Sequence, residues 1–303
     1  MAGYTDAAFR SVCVRHGASL CFTEMVSADA LARNNATTLH LLRKASDEAL
    51  TGFQIFASGP AMAGAAVRRI ASLAPAIIDL NCGCSVPKVL KANCGAVLLR
   101  SPALIGSIVA AMKGETDLPL SVKLRLGWDS ASLSYLACAE AAIKAGASLV
   151  TLHPRTGAQG FSGTAQWEHI RALKQAVAVA VMGSGDLYTA TQCAGMIEAT
   201  GCDGVMLARG CLGNPFLFSQ TVAMLRGCEG GARLDARERL STAMQHLRML
   251  AQEVGEPKAC RDMRKHFVAY TKGLEGGAVL RQSVVQAESV GEYEQIVASY
   301  LRE

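Results

Sequence analysis

"AIIDLNCGCSVPKV", Ala76–Val89, decides how this chain folds. Its apolar run, Ala76–Leu80, is too short for a helix and reads as a buried strand. A polar side chain, two thiols and a glycine follow before the chain turns. An apolar strand that delivers chemically capable residues into a loop is one unit of a parallel β/α sheet. The same unit recurs at Ser19–Phe22, Phe53–Phe56, Leu118–Leu124, Leu149–Leu152, Val177–Met182 and Gly204–Leu207. The intervening segments open with helix-start chemistry: "SGPAMAG" from Ser58, "RSPALIG" from Arg100, "DSAS" from Asp129 and "GDLYTA" from Gly185. Strands alternating with helices in this way give an α/β fold with a parallel sheet.

Seven such strands are one short of a (β/α)8 TIM barrel. Before the helix expected over Asp6–Arg15 stands only "MAGYT", the end of a loop whose strand belongs upstream. The expectation is a barrel lacking its first strand because the start is truncated at Met1. Beyond the glycine-rich "RGCEGGARLD", Arg226–Asp235, the pattern changes: Leu240, Ala243, Met244, Leu247 and Ala251 follow helical spacing. A barrel over residues 1–228 and a small all-helical C-terminal domain over 235–303 are therefore expected.

Composition narrows the class. The chain has 303 residues, half of them hydrophobic, yet no stretch approaches the roughly 18 apolar residues of a membrane span. The N-terminus has neither a basic nor an apolar signal segment. Eleven cysteines without a CxxC pair argue for a reducing cytoplasm and against a disulfide framework. A net charge of +5 permits a nucleic-acid partner without requiring one. From Asp235 onward ten basic residues balance ten acidic ones, but Lys258, Arg261 and Lys265 line one helix face, with Arg264 and His266 beside them. A solvated face is the commoner role of such a stripe; nucleic-acid contact is the sharper one.

In a (β/α)8 barrel chemistry gathers at the C-terminal strand ends. Those positions hold Glu24, Gln54, Asn81 with Cys84, Lys123 with Arg125, His153 with Arg155, Ser184 with Gly185, and Ala208 with Arg209. The last two loops, "MGSGDL" and "LARGCLGNP", combine small residues with Arg209 where such barrels bind phosphate. Lys123 can hold the N1–O2 edge of a flavin, where negative charge collects on reduction; a salt bridge inside the barrel is its other reading. Cys82 and Cys84 lie in no recognisable zinc pattern, and no metal site is expected. A disulfide across one residue is geometrically poor. Two buried thiols, or one working acid just beyond a strand ending at Asn81, remain open.

With these residues in view, the chain resembles the tRNA-dihydrouridine synthases, closest to their bacterial B-type branch. The motifs "MAGYTD", "TEMVS" (Thr23–Ser27), "DLNCGC", "SVKLRLGW" (Ser121–Trp128), "TLHPRT" (Thr151–Thr156), "GSGD" and "LARG" follow in the family's order, and "MRKHF" (Met263–Phe267) supports the branch. The resemblance implies a flavoprotein that reduces a tRNA uridine to dihydrouridine, with FMN as cofactor and NADPH as reductant. It places the catalytic acid on Cys84, and hydride then passes from flavin N5 to uracil C6 while Cys84 protonates C5. Cys82 is then a packing residue. It places flavin contacts on Met1, Ala2, Gln54, Lys123, His153, Ser184, Gly185, Asp186, Ala208 and Arg209, and uracil recognition on Asn81. tRNA contact falls on Arg261, Arg264 and Lys265, and a cytoplasmic monomer is expected. The sequence departs from the family at Ser85, where proline is delayed to Pro87, and at Pro154, Ser184 and Ala208. A non-catalytic tRNA-binding factor, or another FMN barrel acting on a small molecule, are the alternatives.

Overall fold

The structure, a computed structural model, describes residues 1–228 and 235–302. Residues 229–234, the centre of the glycine-rich linker, lie outside the described residues. A curled, all-parallel sheet carries β1 (Cys21–Phe22), β2 (Val26–Ser27), β3 (Thr51–Phe56), β4 (Ile77–Cys82), β5 (Leu120–Arg125), β6 (Leu149–His153), β7 (Ala180–Gly183) and β8 (Gly204–Val205). The order is β1-β3-β4-β5-β6-β7-β8, with β2 a second short partner of β3. Among the described residues no ladder joins β8 to β1, so the sheet is a barrel left open on one side. A small apolar cluster of Phe9, Cys13, Ala18 and Cys211 bridges that opening, with Cys21 of β1 and Leu207, just past β8, packed against it.

The main core lies between the sheet's outer face and its covering helices. Ile78, Leu80, Cys82, Val122, Leu124, Val150 and Leu152 point outward into it, the unbroken burial expected of parallel strands. Three differences from the sequence reading have local causes. β4 runs on through Asn81 to Cys82, so Cys82 is a fully buried strand residue and only Cys84 stands in the loop. Asp129 does not open a helix. Its carboxylate accepts from the Ala131 amide and the Ser132 hydroxyl to close a turn, and the helix starts at Tyr135. β2 went unread because two residues carry no periodicity.

The C-terminal helices Ala236–Val254, Glu256–Tyr270, Gly277–Val284 and Val290–Tyr300 form their own core around Leu247, Met263, Phe267, Tyr270, Leu280 and Tyr293. They dock on the helix Ala7–Arg15 at the front of the chain, whose Ala8 joins their core. Asp6 caps that helix by accepting from the Phe9 amide at 2.8 Å. Inside it the buried Arg10 guanidinium pairs with Glu48 at 2.6 Å and donates to the Thr5 and Arg43 carbonyls, so neither buried charge is left alone. No described helix is long and apolar enough to cross a membrane.

Candidate active site

Side chains of laterally paired parallel residues point to the same face. The register pairs Gln54 with Asp79 and Asp79 with Ser121, which makes one inward rung. The next rung is Asn81, Lys123 and Thr151, and above it stand Arg125 and His153. Apolar side chains usually fill a barrel interior. These rungs are polar, and their hydrogen bonds run in one direction.

Asp79 is fully buried and accepts from Ser121 Oγ at 2.6 Å and from Gln54 Nε2 at 2.7 Å. Gln54 Oε1 accepts from Asn81 Nδ2 at 2.9 Å. Asn81 Oδ1 then accepts from the Cys84 amide at 2.9 Å and the Gly83 amide at 3.1 Å. A carboxylate can only accept, so Asp79 dictates which end of each amide faces which neighbour all the way to Cys84. Burial raises the Asp79 pKa to about 6, although hydrogen bonds from Ser121 and Gln54 and the charge of Lys123 pull it down. One N–H each on Gln54 and Asn81 is left for a ligand.

Cys84 is half-buried at the end of this relay, and its carbonyl accepts from the Ala96 amide at 2.9 Å. Gly95 makes the contact possible, because at its φ of +66° a Cβ would lie 2.4 Å from the Cys84 carbonyl oxygen. Pro87 stands at the first turn of the short helix Pro87–Lys91 instead of directly after the cysteine. Hydrogen bonds from the Cys84 amide and to its carbonyl hold the backbone where a following proline would have restricted it.

Cations gather round this thiol. Lys123 is half-buried and has no ion-pair partner among the described residues. Burial, with the charge of Arg125, lowers its pKa to about 8, against the pull of Asp79. Arg125 donates to the Gly83, Thr156 and Gly160 carbonyls. Burial, together with Lys123, Arg125, Arg155 and Arg209, drives the His153 pKa down to about 2, so its imidazole is neutral. Arg155 Nη1 lies 3.3 Å from His153 Nε2.

The two small-residue loops meet beside the cations. Ser184 Oγ donates to the Met206 carbonyl at 3.0 Å and ties the end of β7 to β8. Gly210 passes so close to the β7 loop that a Cβ would lie 1.9 Å from the Leu187 carbonyl oxygen. Among the described residues the Gly185 and Asp186 amides donate to no partner. The Asp186 carboxylate is held within the loops. It is gripped by Arg155 at 2.7 and 3.0 Å and by the Ala165 amide, with Arg209 at 3.6 Å. Burial pushes its pKa up, but those hydrogen bonds outweigh it and the net direction is down. Ala208 leads directly into Arg209, whose half-exposed guanidinium lies 4.7 Å from the Phe161 ring centre and 5.8 Å from that of Tyr188. Met1 accepts from the Tyr4 and Thr5 amides, within electrostatic reach of Glu24 and Lys123, and Ala2 is exposed beside it.

The structure thus brings Gln54, Asn81, Cys84, Lys123, His153, Ser184, Gly185, Asp186, Ala208 and Arg209 to one end of the sheet. Arg261, Arg264 and Lys265 lie apart, on the helix Glu256–Tyr270. Arg261 is exposed, and Lys265 Nζ sits 5.6 Å from the Tyr4 ring centre. Arg264 is half-buried toward Tyr293, and His266, placed by helical spacing beside the stripe, is fully buried on the opposite side. Sequence reasoning missed Asp79, Ser121 and the exposed Phe161 as site residues. Asp79 and Ser121 share an alternating register with Gln54 and Lys123, which was a readable signal; Phe161 lies in a loop with none.

The donor set suits a flavin: an unpaired lysine beside two amide groups, and free loop amides next to Arg209 for a phosphate. An open β/α barrel whose mouth is built this way defines an oxidoreductase of the flavin-using class. The dihydrouridine synthase (Dus) family model matches residues 1–303. A probable tRNA-dihydrouridine synthase of Treponema pallidum is 41% identical over 98% of this chain and 90% of its own length. tRNA-dihydrouridine synthase B of Pseudomonas aeruginosa is 35% identical over 93% of this chain and 85% of its own. Histamine dehydrogenase from Rhizobium sp. 4-9 shares the fold at a TM-score of 0.54 and 16% identity, over 82% of this chain and 47% of that one. The chain belongs to the dihydrouridine synthase family and is a flavin-dependent oxidoreductase.

Proposed function

We propose that this chain reduces a uridine of tRNA to 5,6-dihydrouridine, using FMN as its flavin and NADPH as reductant. The observation that carries the reading is the relay from Asp79 through Gln54 and Asn81 to Cys84, beside the unpaired Lys123. When bound, the reduced flavin supplies a hydride to uracil C6.

The protein's own groups do the rest. Lys123, cationic at neutral pH, holds the edge of the ring where negative charge gathers, and His153 stays neutral beside it. Gly185 and Asp186 amides with Arg209 receive the phosphate, while Met1 and Ala2 border the ring from the front of the chain. Ser184, Ala208 and the carboxylate of Asp186 set the shape of that cradle. Asn81 offers its remaining N–H to a uracil carbonyl, which places C5 over Cys84. The thiol then donates its proton to C5 as a general acid. Phe161, exposed over the mouth, gives a base turned out of its stack an aromatic face.

In this reading the barrel, 1–228, holds the flavin, and the helices of 235–303 hold the tRNA through Arg261, Lys265 and the neighbouring Arg264. A monomer in a reducing cytoplasm suits eleven free thiols. Nucleoside mass spectrometry of tRNA from a deletion strain tests the reading. Dihydrouridine should vanish at one or more positions and return with the wild-type gene but not with Cys84→Ala. Unchanged dihydrouridine in the deletion strain would overturn it.

A further inference from the structure

Where the helical domain meets the helix Ala7–Arg15, the fold assembles a second constellation that the reduction reaction does not use. Asp6, His246 and His266 come from three separate elements, and one oxygen or nitrogen of each lies within 4.8 Å of the others. Asp6 Oδ1 stands 4.0 Å from His246 Nε2, and Asp6 Oδ2 stands 4.0 Å from His266 Nε2. Both imidazoles are fully buried, and all four of their ring nitrogens lack a hydrogen-bond partner. A buried polar group without a partner is destabilising, so four on two adjacent rings favour a partner supplied from outside the chain.

The arrangement follows from the helix hairpin. Gly255 joins Ala236–Val254 to Glu256–Tyr270, and the two histidines lie at similar distances on either side of it, so the antiparallel helices bring them level. Their ring centres are 4.5 Å apart at 69°, and Phe9 packs on both at 5.6 and 5.2 Å. Tyr270, one turn beyond His266 on the same helix face, is also buried, and its hydroxyl is unpartnered. It packs edge-on to His246 at 6.1 Å.

We propose that Asp6, His246 and His266 bind a structural divalent zinc ion that clamps the helical domain to the first helix of the barrel. Two imidazoles and one carboxylate are a donor set zinc accepts, and the Tyr270 hydroxyl or a water can complete four-coordination. Donors no more than 4.8 Å apart share a point within about 2.8 Å of each, and contraction to zinc bond lengths of about 2.0–2.1 Å needs shifts below about 1 Å. Lys265 beside His266 opposes a cation; Asp6 itself and the half-buried Glu253 favour one.

The test uses the full chain with its flavin, equilibrated against buffered free zinc in the sub-micromolar range. Elemental analysis should find one zinc per chain. X-ray absorption should show a nitrogen and oxygen shell near 2.0 Å, without the sulfur shell near 2.3 Å that cysteine ligation would give. His246→Gln and His266→Gln each should weaken binding by more than the roughly 10–100-fold that outer-shell partners are worth. Zinc should raise the unfolding temperature of the wild type and not of these variants. Should either histidine variant fail to fold, Asp6→Asn decides, since asparagine keeps the helix cap while giving up the charged ligand. Failure to retain zinc, a sulfur shell, or full zinc content in a folded Asp6→Asn or histidine variant would each overturn the proposal.

Discussion

The barrel mouth and the domain junction both bury polar side chains, and they satisfy them in opposite ways. At the mouth Asp79, Ser121, Gln54, Asn81, Arg125, Arg155 and Asp186 are tied to one another or to backbone groups. At the junction both nitrogens of His246 and of His266 and the Tyr270 hydroxyl have no partner. A largely closed network fixes geometry without help and leaves a few groups free, here Lys123, the buried Thr151 hydroxyl and single amide N–H groups. An open cluster is finished only when something arrives. The mouth is therefore rigid before its ligand binds, whereas the junction gains its rigidity from outside.

The largest effect should come from the thiol at the end of the closed network. Cys84→Ala removes the proton donor, and a general acid contributes about 10²–10⁴-fold, so dihydrouridine formation should drop by that range. Flavin reduction by NADPH, followed by loss of flavin absorbance, should survive. Cys82→Ala should act through packing alone: its side chain is fully buried on the outer face of β4, so Tm falls while turnover per folded molecule holds. Equal losses of turnover from both variants would break the distinction between a working mouth and a packing core.

Next in size is the residue that orients the network. Asp79→Asn can present an N–H where Gln54 already donates, which frees Gln54 and Asn81 to turn and lets the Cys84 loop drift. Turnover should fall roughly tenfold, the worth of about one lost hydrogen bond. The same charge has a stability signature. Burial raises the folded pKa to about 6, above the unfolded carboxylate value, so the contribution is full at low pH and is lost as pH rises through about 6. The loss is on the order of 2–3 kcal/mol by pH 8. Denaturation from pH 4 to 8 should show this decline in wild type and not in Asp79→Asn; identical profiles would remove Asp79 from its orienting role.

Lys123 gives a smaller, pH-dependent effect. With its pKa lowered to about 8, the ammonium is present at neutral pH and disappears as pH climbs past that value. Flavin affinity, measured by fluorescence quenching, should be level below neutrality and weaken through pH 8. Lys123→Met should bind roughly tenfold more weakly at pH 7 and show no such limb, because one charged contact is worth about 1.5–3 kcal/mol at most. A limb that persists in the variant would assign it to another group.

Much of the mouth was legible in the sequence because parallel strands end where barrels place chemistry, so Gln54, Asn81, Lys123 and His153 could be named from strand ends alone. Asp79 lay in plain sight but read as strand interior, since burial of a charge leaves no mark on periodicity. The junction was illegible for a different reason. Asp6, His246 and His266 are separated by up to 260 positions, and only the docking of the helix hairpin on Ala7–Arg15 brings them together. Ligand spacing within one element reveals a zinc finger; spacing across three elements reveals nothing.

The smallest effect concerns the helix that carries both regions' concerns, Glu256–Tyr270. The family resemblance grouped Arg261, Arg264 and Lys265 as one tRNA-facing set, beside a stripe of Lys258, Arg261 and Lys265 that helical spacing picks out. The structure separates them: Arg261 is exposed, Lys265 reaches toward Tyr4, and Arg264 is half-buried toward Tyr293. Lys258 is already paired with Asp262 at 2.5 Å, so it adds little free charge. Arg261→Ala and Lys265→Ala should each weaken tRNA binding a few-fold, and each should flatten the slope of log affinity against log salt by about one unit as one phosphate contact is lost. Arg264→Ala should instead lower Tm with little change in that slope, because its aliphatic stem packs in the helical core. Flavin content should stay constant in all three. If Arg264→Ala flattens the salt slope as much as Arg261→Ala does, the residue faces the nucleic acid after all, and the division of this helix into an RNA side and a core side fails.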